Sequence, residues 1–195
     1  MQVKQQTAST EQIREFVIAG HGNFEKVRHM LAQDPTLLNV EYQWSENDRE
    51  TAIQGAAQVG NVSVAEFLLE KGAPLEICTA AMLGRIDEVK RRINSDPQQA
   101  SAVGAHHIPL LPHAVLSDKL ELVQFVYQRG AITGGDLALH NAVMKGNAEI
   151  VGWLLENARP DIASKNYQGK TPLTVASERK DESMVQLLKA HGATH

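Results

Sequence analysis

A unit of two short amphipathic helices recurs along this chain of 195 residues, and its clearest copy reads TAIQGAAQVGNVSVAEFLLEKGAPLE from Thr51 to Glu76. Such a unit cannot bury its own apolar face, so copies have to stack on one another into an array. Aligning the copies on the turn between their helices gives Gly22-Asn23, Gly60-Asn61, Gly84-Arg85, Asp118-Lys119, Gly146-Asn147 and Lys180-Asp181. Six units result.

Upstream of most turns lies a short helix carrying small residues: Ala56-Ala57, Ala80-Ala81, Ala114-Val115, Ala142-Val143 and Ala176-Ser177. Small side chains let neighbouring helices approach closely. Downstream lies a longer helix with apolar residues at i, i+3 and i+4, as in Val64, Phe67, Leu68 and Leu69, or Ile150, Val151, Trp153, Leu154 and Leu155. That spacing forms one buried stripe. Several of these second helices close on Gly-Ala, at Gly72-Ala73, Gly130-Ala131 and Gly192-Ala193, where glycine suits a left-handed helix end.

These residues resemble the ankyrin repeat family, whose pattern is a Thr-Pro-Leu-His opening, an Ala-Ala, a Gly-His turn, a Val-Val-x-Leu-Leu run and a Gly-Ala-Asp close. Thr51 to Glu76 follows it almost throughout, Thr171-Pro172-Leu173 opens the last unit in the same way, and Leu139-His140-Asn141-Ala142 keeps the Leu-His-x-Ala core. The resemblance covers roughly Glu11 to Ala193. It implies an all-α helix-turn-helix solenoid with short or missing β-hairpin fingers. In domain terms, residues 1–10 are expected to be a flexible N-terminal segment and 11–195 a single solenoid of about six units.

The turn anchors are separated by 38, 24, 34, 28 and 34 residues, so the units are unevenly joined. The gap of 24 is too short for two helices and a finger, and predicts that Gly72 to Ile77 links its helices directly. The long first gap predicts an enlarged, protruding finger between Asp34 and Glu50. Another irregular connection is expected from Ser95 to His107. Both irregular segments open near Asp-Pro, which ends a helix because the residue before proline is driven to extended geometry.

Composition narrows the function classes. A net charge of −4 leaves no basic footprint for nucleic acid. The start MQVKQQTAST has no apolar signal region, and no apolar run reaches membrane-spanning length. One cysteine, Cys78, excludes an intrachain disulfide framework. The expectation is a cytoplasmic monomer that meets neither nucleic acid nor membrane and needs no cofactor.

The resemblance implies that the two residues before each turn face a concave groove: Gln58 and Val59, Met82 and Leu83, Leu116 and Ser117, Met144 and Lys145, Glu178 and Arg179. With His113, these are the candidate partner-binding residues on the inner helices. Val59, Met82, Leu83, Leu116 and Met144 give the groove an apolar centre, and its ends are polar, which is interface-like. The irregular joints offer a second reading for Met82 and Leu83, in which they are core. Tyr42, Trp44 and Tyr167 lie in finger sequences, and each is either an exposed interface anchor or a residue that packs back on the repeats.

Enzyme motifs find no proper context. Gly169-Lys170-Thr171 lacks the upstream glycine of a phosphate loop and runs into Pro172. His106, His107 and His113 stand at no zinc-ligand spacing, which favours a solvated loop pair over a site. No catalytic or metal-binding residue is assigned. The leading expectation is a non-catalytic scaffold that binds a protein or peptide in its groove. The alternatives are a small-ligand or metal-responsive protein using His106, His107 and His113, and an enzyme with a cryptic site.

Overall fold

The structure, a computed structural model, describes residues 8–194. Of the flexible segment expected over residues 1–10, the first seven lie outside the described residues. The last three belong to the fold: Ser9 accepts from the Gln12 amide, Gln12 reaches back to the Ser9 amide, and α1 starts at Thr10.

Among the described residues twelve helices form six pairs: α1 (Thr10–Gly22) with α2 (Phe24–Gln33), α3 (Ala52–Val59) with α4 (Val62–Glu70), α5 (Ile77–Met82) with α6 (Ile86–Ser95), α7 (Leu110–Leu116) with α8 (Leu120–Gln128), α9 (Gly135–Lys145) with α10 (Ala148–Asn157), and α11 (Pro172–Glu178) with α12 (Glu182–Ala190). The odd-numbered helices pack side by side in one layer, and the even-numbered ones cover it. The Gly-Asn turns explain themselves. Gly60 ends α3 at φ +75°, in the left-handed region, and Asn61 then caps α4 by accepting from the Val64 amide. Where glycine is missing, Asp118 and Lys180 hold the same left-handed conformation at φ +63° and +57°.

Residues 71–76 join α4 to α5 without any strand, as the short gap predicts. The connection from α8 to α9, inside the gap of 28 residues, also lacks a strand. A two-stranded hairpin, β1 (Tyr42–Ser45) with β2 (Asp48–Glu50), follows a 3-10 turn at Pro35–Asn39 whose Leu37 is buried. The connection after α6 holds a 3-10 turn at Pro97–Ser101, a Val103–Pro109 bridge and a tight turn at Ala105–His107. That turn packs against β2.

The core divides into two clusters. One centres on Phe16, Val27, Ile53, Val64 and Leu68, and the other runs from Ile77 to Ala193 through Leu111, Leu122, Leu139, Ile150, Leu154 and Leu188. The division passes through α5: Ile77, Cys78, Ala80 and Ala81 belong to the second cluster, while Met82 belongs to the first with Leu116. Because α5 has only six residues, α7 reaches past it to contact α3 directly, and the Leu116 side chain lies against Gly60.

Candidate functional site

The expected groove residues separate into three groups. Met82, Leu116 and His113 are buried and present no surface, so their assignment to a binding face is corrected. The cause is the short α5, which turns these side chains into the gap between α3 and α7. Gln58, Leu83 and Ser117 are half-buried. Val59 and Met144 are 48% and 43% exposed, and Lys145, Glu178 and Arg179 are exposed beside them at the ends of α9 and α11. The inner helices therefore keep apolar surface at α3 and α9, not a continuous apolar centre.

His113 donates from Nδ1 to the Ala57 carbonyl at 3.2 Å. Burial pushes its pKa down to about 4. The folded protein thus holds a neutral ring that the unfolded chain protonates near pH 6.5. Stability is then fully present above that pH and falls as pH drops toward about 4, by an expected 2–3 kcal/mol or about that order. The difference in urea-unfolding free energy between native protein and His113→Gln, followed from pH 7 to 4, measures the effect; parallel profiles would refute it.

The finger after α2 does not protrude loosely. A register shift between Gln43 and Ser45 leaves Trp44 as the extra residue of a bulge, and such bulges re-aim a side chain. Trp44 donates its indole N–H to Glu50 Oε2 at 2.8 Å and meets the Tyr42 ring edge-on at 4.7 Å. Both aromatic rings are half-buried. Of the two readings its sequence left open, packing back is the one observed: Trp44 packs on its own hairpin.

Glu50 is fully buried. Its Oε1 lies 3.1 Å from His21 Nε2 in the last turn of α1, off the direction needed for a hydrogen bond, since that nitrogen is directed at Gln58 Oε1 at 3.3 Å. Its Oε2 lies 3.5 Å from His106 Nε2. His21 donates from Nδ1 to the Val17 carbonyl, and the Glu50 carboxylate raises its pKa over the opposing effect of burial. His106 binds Asp48 twice, through its backbone N–H at 3.1 Å and Nδ1 at 2.6 Å, and this contact lowers the Asp48 pKa. Gly55 forms the floor: a Cβ there would stand 2.8 Å from the His21 ring and 3.3 Å from Glu50 Oε1. Among the described residues, His21, Glu50 and His106 offer one metal-ligand atom each, all within 4.8 Å of one another. That grouping differs from the His106, His107 and His113 set. His107 is exposed and His113 is turned to Ala57.

Residues 48–80 match the sequence profile of the ankyrin repeat, and residues 111–195 match that of ankyrin repeats in three copies, together more than half of the chain. The chain belongs to the ankyrin repeat family. Its relatives include a BTB/POZ domain and ankyrin repeat-containing protein NPR1 of Malus hupehensis, 30% identical over 70% of this chain and 23% of its own length. The I-Kappa-B like protein C2 of Microplitis demolitor bracovirus is 36% identical over 30% of this chain and 33% of its own. The nuclear factor NF-kappa-B p105 subunit of Mus musculus is 33% identical over 50% and 10%. The chain therefore spans a third or less of the length of these relatives.

Within this ankyrin array, His140 braces two units by donating from Nε2 to the Ser164 carbonyl at 3.1 Å. Ser164 Oγ lies 3.4 Å from the same nitrogen, but a nitrogen whose proton is committed to a carbonyl offers that hydroxyl no base. Cys78 is buried among apolar residues, its thiol pushed up to about 12, which makes it a poor nucleophile. Among the described residues no helix is long and apolar enough to cross a membrane. The His21–Glu50–His106 grouping escaped the sequence because its members lie 29 and 56 residues apart, on no recognisable spacing. The missing finger was the available signal.

Proposed function

We propose that this ankyrin repeat protein is a non-catalytic binding module that holds a protein or peptide on the side of its finger tips and inner-helix ends. Tyr167 carries the reading. It is 91% exposed at the tip of the loop before α11. The tip is tightly organised: Asn166 Oδ1 accepts from the Gln168 and Lys170 amides, the Asn166 amide donates to the Lys170 carbonyl, and Gly169 turns at φ +74°. A large aromatic ring displayed on a preordered turn loses little freedom on binding, and tyrosine is favoured at interface hot spots. Val59 and Met144 add exposed apolar area on α3 and α9. The family supports the reading, as ankyrin repeats are generally interaction modules, and the NPR1 and p105 relatives carry the matching stretch inside much longer chains.

Photo-crosslinking from position 59 or 144, followed by mass spectrometry, identifies what is bound. Tyr167→Ala is then expected to weaken that complex by about 2 kcal/mol or more, roughly 30-fold, with helicity and melting unchanged. Binding that survives both Tyr167→Ala and the pair Val59→Lys with Met144→Lys would remove this face from consideration.

A further inference from the structure

The finger missing between the second and third units leaves space that the next finger fills, so the Ala105–His107 turn packs on β2. This neighbourhood brings His106 to the hairpin that carries Asp48 and Glu50, opposite His21 at the end of α1. We propose that His21 Nε2, His106 Nε2 and one carboxylate oxygen of Glu50 bind a single divalent transition-metal ion of the zinc class. The proposal is independent of the partner-binding reading.

The donor atoms have the right chemistry and spacing. Two imidazole nitrogens and a carboxylate suit zinc and its neighbours, whereas calcium and magnesium prefer all-oxygen sets. Around a tetrahedral zinc with bonds of about 2.0–2.1 Å, donor atoms stand roughly 3.3 Å apart. The 3.1 Å from Glu50 Oε1 to His21 Nε2 is close to that value, and one donor atom from each of the three residues lies within 4.8 Å of the others, a spread that small side-chain adjustments close. Both histidines are also oriented from behind. A carbonyl can only accept, so Val17 fixes the proton of His21 on Nδ1, and Asp48 does the same for His106. At His106 the Nε2 lone pair is thereby left for an ion, the outer-shell arrangement that metal-ligating histidines commonly show, whereas His21 Nε2 also faces an acceptor, Gln58 Oε1 at 3.3 Å, so that an ion there takes the place of a proton.

Glu50 supplies the independent observation. Its side chain is completely buried, yet Oε1 accepts no hydrogen bond, while Trp44 occupies Oε2. A buried carboxylate oxygen without a donor is costly, and an ion at this point would satisfy it. The absence of a side chain at Gly55 keeps the space beside Oε1 and the His21 ring open. With three protein donors, a fourth position remains for water, and Gln58 Oε1 stands at its rim, 3.3 Å from His21 Nε2. The ion would clasp α1 to both fingers.

The test uses the whole chain stripped with a chelator and titrated with zinc chloride by calorimetry, then with cobalt to read ligand-field bands. One ion per chain, a raised melting temperature and a four-coordinate cobalt spectrum are expected. His106→Ala and Glu50→Gln should reduce affinity by at least about 100-fold, and Asp48→Asn, acting only through His106, by about 10-fold or more. His107→Ala should leave it unchanged. Circular dichroism of each metal-free variant separates lost ligands from lost fold, and the unmodified chain alone is decisive. Absence of one-to-one binding in it, or binding that persists in both His106→Ala and Glu50→Gln, would overturn the site.

Discussion

The double variant Met82→Lys with Leu116→Lys is expected to unfold the N-terminal half of the array, at a cost above about 4 kcal/mol. Both residues sit in the cluster that contains Ile53, Ala56, Ala57 and Leu68, at 1% and 7% exposure. Lysine at either position carries an ammonium into an apolar space walled by α3, α5 and α7. An unpaired charge buried in this way costs several kcal/mol. Urea unfolding followed by circular dichroism gives the magnitude. Hydrogen exchange gives the location, with protection lost first in α3, α4 and α5. A variant that melts like the native protein and only fails to hold a partner would return Met82 and Leu116 to the surface.

The reason these two residues mislead a reader of the sequence is instructive about repeat arrays. Each occupies a position near a turn that faces outward when units are evenly joined. Unevenness was legible, since the 24-residue gap locates the direct link at Gly72 to Ile77. Its geometric consequence was not: a six-residue α5 lets α7 close on α3 and draws Leu116 against Gly60. The helix pairs themselves were legible, because every turn anchor after the first combines a left-handed residue with the following helix start, and even Asp118 and Lys180 obey that rule without glycine. Local chemistry sets them.

The finger face was less legible because its contacts are long-range. Trp44 sits in a polar stretch that leaves an exposed and a packed reading open, and its hydrogen bond to the buried Glu50 makes it structural. Glu50 itself precedes Thr51 at the opening of the clearest repeat, where an acidic residue would ordinarily face solvent. Its burial depends on His21 from α1 and His106 from a finger two connections later. Absence of one finger, deduced from spacing alone, is what makes those two segments neighbours. Tyr167 shows the converse. The preceding connection, from α8 to α9, carries no finger to cover its loop, and the ring stands in solvent.

Leu154→Ala is expected to cost about 2–5 kcal/mol, as large-to-small changes at fully buried leucines do. Leu154 lies in α10 with no exposure, in the second core cluster with Ile150, Val151 and Leu188. Because each unit contacts chiefly its neighbours, the loss should not spread evenly. Hydrogen exchange should show protection falling in α8 to α12, while α1 to α4, whose cluster shares no buried residue with Leu154, keep theirs. The hydrogen bonds around Glu50 and His106 then survive in a protein whose C-terminal repeats are partly open. Loss of protection throughout the chain would mean that α5, the helix shared by the two clusters, transmits unfolding as a single cooperative event. A cost below about 0.5 kcal/mol, the range for surface substitutions, would mean that the apolar stripe of α10 faces away from the stack.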